Sequence, residues 1–229
     1  MKIKRFDEFL NESIVNDSID RIGYGNPTRE LMDLEQKNSK IKDWFINKGL
    51  DIKIIDSVPS NSSQKTLEEL GYLMDLMSRV TKEELEFAEA AEADEVDVWV
   101  KFANDLGFPT TKEEVQSVID QTDPLLFYLK NKINRIRPFQ LSYYLSMPLY
   151  PLIHSDANSA AYPSGHGLDS FNLANYFSTK YPEKSKEFTD LGNRIAFSRE
   201  QIGVHYPSDT EISRMIAKTI WENKLIDIK

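Results

Sequence analysis

Apolar residues recur along this chain at three- and four-residue intervals over most of its length, the spacing that lays a stripe down one face of an α-helix. Leu67, Leu70, Met74 and Met77 mark such a stripe over 63–80, and a second runs through Phe87, Ala91, Val98 and Phe102. Leu31, Leu34, Ile41, Trp44 and Phe45 predict a helix over 29–48. Further helices are expected near 111–120, 124–136, 138–147, 165–180, 184–202 and 208–224. The last three carry Leu168, Phe171, Ala174 and Phe177, then Phe188, Leu191, Ile195 and Ile202, then Ile212, Ile216 and Ile220. Only 51–58 reads as a short strand or extended loop. Long helical periods with hardly a strand predict an all-α helical bundle, a single domain over 29–229. Residues 1–28 read as an amphipathic leader, with Ile3, Phe6, Phe9 and Leu10 on one face, and a linker over 14–28 rich in Asn, Gly and Pro.

Composition narrows the function. The 229 residues hold 37 Asp and Glu against 28 Lys and Arg, a net charge of −9 that argues against nucleic acid or an anionic membrane as a general partner. Cysteine is absent, which excludes disulfides and thiolate metal sites. No apolar run reaches the ~20 residues a membrane span needs, and the N-terminus lacks the apolar core of a secretory signal. A cytoplasmic protein is expected. The acidic series Glu83, Glu84, Glu86, Glu89, Glu92, Asp94, Glu95 and Asp97 reads as the solvated face of a helix rather than a metal site.

Three short segments stand out against this background. They are Lys130-Asn-Lys-Ile-Asn-Arg-Ile-Arg137-Pro138, Pro163-Ser164-Gly165-His166 and Ser198-Arg199-Glu-Gln-Ile-Gly-Val-His205-Tyr-Pro-Ser-Asp209. Lys130 and Arg137 are seven apart, two turns of a helix, beside the apolar positions Leu126, Leu129, Ile133 and Ile136. Arg199 sits four residues after Ile195 on an apolar stripe. Cations facing a core need an anion, and an arginine grips phosphate oxygens with two parallel hydrogen bonds. Ser164 reads as the N-cap of the helix over 165–180, so the backbone N–H groups of Gly165 and His166 would face an anion from the positive helix end. His205 and Asp209 are one turn apart, close enough for the carboxylate to fix one imidazole nitrogen and leave the other to attack. Lys132 and Arg135 read as part of a solvated basic run. Of the three histidines, only His154 falls outside these segments; it lies in 140–161, a stretch read as a core-facing connection between helices.

Each segment alone is weak. Together, as K-x6-R-P, P-S-G-H and S-R-x5-H-x3-D in that order, they resemble the tripartite signature shared by type 2 phosphatidic acid phosphatases, class A acid phosphatases and vanadium haloperoxidases. Lacking an apolar span, the chain resembles the soluble, acid phosphatase-like branch. The resemblance implies a metal-independent phosphatase acting on small phosphate monoesters. His205 would be the nucleophile forming a phosphohistidine, Asp209 its orienter and His166 the general acid and base. Lys130, Arg137, Ser164, Gly165 and Arg199 would cradle phosphate. No cofactor is implied, although vanadate could occupy the same cradle, and a vanadium haloperoxidase is the alternative reading. The N-terminus, with Leu10-Asn11-Glu12, resembles the capsid-targeting leader of internal head proteins of tailed bacteriophages. That likeness implies head-assembly partners through residues 1–12, and a packaged head protein with a vestigial pocket as a further alternative.

Overall fold

The computed structural model describes residues 17–25, 58–155 and 158–226. The amphipathic leader, the helix expected over 29–48 and most of the extended stretch expected over 51–58 lie outside the described residues. Nine α-helices and no strand occur among them. The first is one turn, α1 (Asp17–Asp20). Ser63 caps α2 (Gln64–Met77), and Thr81 and Glu84 close a reciprocal capping box on α3 (Lys82–Ala93). Asp94 ends α3 and caps α4 (Glu95–Asp105), so the single stripe through Phe87 and Phe102 is two helices.

Thr111 caps α5 (Lys112–Ile133), which runs unbroken through Pro124 where two helices were expected. Proline there removes the bond to the carbonyl of residue 120. Asp120 is exposed to water, while Val118, Ile119, Thr122, Leu125 and Leu126 are buried around it, and that burial outweighs the local break. After α5 come α6 (Pro138–Tyr144), α7 (Gly165–Lys180), a 3-10 turn at Pro182–Lys184, α8 (Ser185–Gln201) and α9 (Pro207–Glu222).

Helix α7 is the axis of the molecule and contacts α5, α8 and α9. Leu168, Leu173 and Phe177 on it are fully buried. Phe177 stacks on Trp99 at 5.7 Å and on Phe188 at 4.9 Å between ring centroids. Gly192 lets α8 come this close to α7. A Cβ there would lie 2.8 Å from the Ser170 carbonyl oxygen and 3.0 Å from the Ala174 Cβ.

Two smaller apolar clusters flank the main core. Leu70, Leu73, Ile136, Leu141, Leu149 and Tyr206 form one; Ala88, Ile202 and Val204 form the other. Val204 of the second cluster lines the cavity described below. The described part of the expected linker packs on the first cluster through Ile19 and Ile22. Asn61 Nδ2 donates to the carbonyls of Ile19 and Ile22 at 2.8 and 2.7 Å, and Gly23 bridges to Arg135. The stretch 140–161 was expected to face the core. Leu141 and Leu149 do, whereas His154 is exposed and Tyr143 and Tyr150 are 80% and 74% exposed. No described helix is long and apolar enough to cross a membrane.

Candidate active site

One cavity of about 260 Å³ collects most of the singled-out residues: Lys130, Arg137, Gly165, His166, Arg199 and His205 all line it. Their arrival at one place follows from how four helix ends are built. Helix α8 stops where Gly203 adopts a left-handed φ of 78°. The amides of Gly203 and Val204 then turn back onto the carbonyls of Glu200 and Arg199, at 2.9 and 3.1 Å. Pro207 starts α9 only two residues after His205. The tight connection holds His205 between Arg199 at one helix end and Asp209 at the other.

Asp209 is fully buried in the first turn of α9. Its Oδ2 accepts from the Tyr206 amide at 2.9 Å and lies 3.1 Å from His205 Nδ1, and its Oδ1 accepts from Arg135 at 2.6 Å. Burial alone would raise its pKa; Arg135, His205 and the Tyr206 amide instead hold it down to about 2. A carboxylate can only accept, so Nδ1 of His205 carries the proton. On the other side, Arg137 Nη1 lies 2.9 Å from Nε2 and can only donate, so the Nε2 lone pair faces the guanidinium. The tautomer is the one expected, but its lone pair is engaged by Arg137. Burial, and then Arg137, keep His205 well below the ordinary histidine pKa, hence neutral.

Arg137 reaches the cavity by a route different from the expected one. Helix α5 ends at Ile133 because Asn134 turns left-handed, with φ 52°. Residues 135–137 are therefore not two helical turns beyond Lys130. They run on from the break into α6, and Pro138 favours an extended residue before it. Arg137 is buried, donating Nε to Ser159 O at 2.9 Å and Nη1 to Val204 O at 3.0 Å. Burial lowers its pKa to about 10. Lys130, still on α5, donates to Ala160 O at 2.5 Å; burial and then Arg137 push its pKa well down. Arg199 is 1% exposed and forks to Ala88 O at 2.8 Å and to Glu92 Oε2. The expected phosphate grip would use the N–H bonds this pairing leaves.

Gly165 and His166 open α7, and the first amides of a helix have no intrahelical acceptor. Ser164 caps that helix by accepting from the Gly167 amide at 3.2 Å, and it is not part of the cavity lining. The protein itself leaves room for a Cβ at Gly165, whose nearest obstacle, Leu126 Cδ2, is 3.4 Å away. What a side chain would occupy there is the cavity. His166 Nε2 donates to Ala91 O at 3.2 Å, leaving Nδ1 as the basic nitrogen. Burial, then Arg199, lower its pKa to about 4.

Two features were not expected. Arg135, read as solvated, is 2% exposed in its side chain and joins Asp209, Ser208 and Glu69 beneath His205; only Lys132 of that basic run is exposed. The left-handed preference of Asn134 was the available signal that the helical face ends before Arg135. The acidic series is also not one solvated face. Glu92 and Glu95 turn into the cavity, joined there by Asp123 and Asp169.

No protein-family model matches the chain, and no curated protein resembles it in sequence. Its fold is nonetheless a known one, the all-helical bundle of the PAP2 type. Among solved structures it is similar to the first transmembrane PAP2-type phosphatidylglycerolphosphate phosphatase from Bacillus subtilis. The two share 17% identity over 80% of this chain and 93% of that one, with a TM-score of 0.51.

Proposed function

We propose that this chain is a soluble phosphatase that hydrolyses phosphate monoesters through a phosphohistidine on His205. The observation that carries the reading is the alignment Asp209–His205–Arg137 at the edge of a cavity also lined by Lys130, Arg199, His166 and the first residue of α7. A neutral imidazole with its proton fixed on Nδ1 is a nucleophile at Nε2. A phosphoryl group spreads negative charge over its oxygens in transfer, and fixed cations with a helix N-terminus stabilise that charge.

A bound phosphate would draw Arg137 from Nε2 to its own oxygens. Nε2 then attacks phosphorus, the bond from phosphorus to the ester oxygen breaks, and protonated His166 gives its proton to the departing oxygen. Water next attacks the phosphorus, passing a proton to His166; the P–N bond breaks and returns neutral His205 and inorganic phosphate. The likeness to a PAP2-type phosphatase supports the same reading at the level of fold.

The test is phosphate release from a panel of esters by wild type and His205→Ala. Loss of at least ~10³-fold is expected, as for other removed nucleophiles. Vanadate, which occupies phosphate sites of this chemistry, should inhibit. Near-normal turnover by the variant rejects His205 as nucleophile.

A further inference from the structure

The cavity that collects the cations is also lined by three carboxylates the mechanism does not use: Asp123, Glu95 and Asp169, from α5, α4 and α7. Asp169 is 8% exposed, lines the cavity, and its Oδ1 has no hydrogen-bond partner. Such a carboxylate oxygen is costly unless something binds it. Two of the three carboxylates feel another of them, after burial: Glu95 and Asp123 both act on Asp169, and Asp123 acts on Glu95. Glu95 already accepts from Ser170 Oγ at 2.5 Å through one oxygen, and its other oxygen is 3.9 Å from His166 Nε2. Burial first, then Glu95 and Asp123, raise the Asp169 pKa well above the ordinary carboxylate value; Lys130 only partly opposes this, without a hydrogen bond to it, and a bound cation would favour the charged form.

The structure points to a subsite for an organic ammonium group: the preferred substrate is a small phosphate monoester whose alcohol carries a primary amine two or three carbons from the ester oxygen. This rests on the phosphatase reading for where the phosphate sits. Asp169 lies four residues beyond Gly165, hence about 6 Å further along α7 at ~1.5 Å per residue. A two- or three-carbon linker covers a comparable distance at roughly 1.5 Å per bond. An ammonium has three donors and can donate to carboxylates spread along the cavity. At about 260 Å³ the cavity falls just below the ~300–1,000 Å³ typical of drug-sized ligands, which favours a short amino alcohol over a bulky one.

The experiment compares kcat/KM of the full chain for 2-aminoethyl phosphate and for 2-hydroxyethyl phosphate, which differ by one charge. The expected ratio is about tenfold or more in favour of the amine, the yield of one charge-assisted hydrogen bond. In Asp123→Asn and, separately, Asp169→Asn, the ratio should fall toward one whatever happens to the absolute rates, with folding checked by circular dichroism. A wild-type ratio near one, or a preference that survives both substitutions, overturns the subsite. Failure to release phosphate from p-nitrophenyl phosphate or either ester would reject the phosphatase reading instead. Calorimetric binding of the same two esters then decides the subsite: tighter binding of the amine, lost in the variants, supports it, and equal binding overturns it.

Discussion

Arg135→Ala removes the cation on which the buried base of the site depends, and its cost can be worked from the structure. The guanidinium donates to Asp209 at 2.6 Å, to Ser208 Oγ at 2.7 Å and to Glu69 at 3.2 Å, and lies 3.9 Å from the centre of the Tyr206 ring. Both carboxylates are almost wholly buried, at 0% and 4% side-chain exposure. Breaking a buried pair from one side typically costs about 3–5 kcal/mol. A second route gives a similar figure: Asp209 is held at about 2 against an ordinary 3.8, and at about 1.4 kcal/mol per unit this is roughly 2–3 kcal/mol of stabilisation for that one carboxylate. Denaturant unfolding should therefore show a loss of about 3–5 kcal/mol, and thermal unfolding a drop of roughly 6–20 °C for a domain of this size.

The pH dependence separates this cause from simple lost packing. In wild type the Asp209 pKa is depressed, so its stabilisation is fully present above the unfolded value and is lost only as pH falls toward 2. Without Arg135, burial dominates and raises the same pKa above its unfolded value. The variant then gains stability as pH falls through that raised value, and the gap to wild type narrows between about pH 7 and 4. A loss below about 1 kcal/mol, or one that stays constant over that range, would refute the reasoning.

The other tests follow from single contacts. Gly192→Ala should destabilise by roughly 1–3 kcal/mol, because its Cβ meets the fixed Ser170 carbonyl at 2.8 Å; Gly165→Ala should leave the melting temperature nearly unchanged and weaken inorganic phosphate binding, measured by calorimetry. Should both glycine variants melt alike, the assignment of Gly165 to the cavity rather than to packing fails. Burial and Arg199 lower His166 to about 4, and a general acid must hold its proton in the free enzyme, so kcat/KM should fall as pH rises above about 4. A profile flat from pH 4 to 7 removes His166 from that role.

Local signals predicted local structure well. The stripes of α7, α8 and α9 gave their bounds to within a residue or two, because each buries one continuous face and has a marked start: Ser164 for α7 and Pro207 for α9. Pro124 misled, since its helix-breaking tendency is local while the burial that overrides it comes from elsewhere in the chain. The three charged segments were legible as a group because their residue types are expensive to bury without purpose. Their partners were not. Arg135 meets Glu69 from 66 residues away, and Glu92 meets Arg199 across 107, separations at which neither helical period nor spacing carries information.

Those unread partners explain how the site can exist. A cavity with Lys130, Arg137, Arg199 and His205 all nearly buried would repel itself apart if cations alone faced it. Two of the three buried arginines are answered by a carboxylate outside the signature: Glu69 beside Arg135, Glu92 beside Arg199. Lys130 and Arg137 hydrogen-bond to backbone carbonyls and imidazole and feel carboxylates only from beyond ion-pair distance, and burial lowers the pKa of both. The incompletely neutralised pair is therefore the pair that a dianionic ligand would stabilise most. It follows that inorganic phosphate should raise the melting temperature of the wild-type chain, and that substituting Lys130 by Met should reduce the rise while leaving a stably folded protein, since the replacement removes a buried charge and keeps the apolar stem.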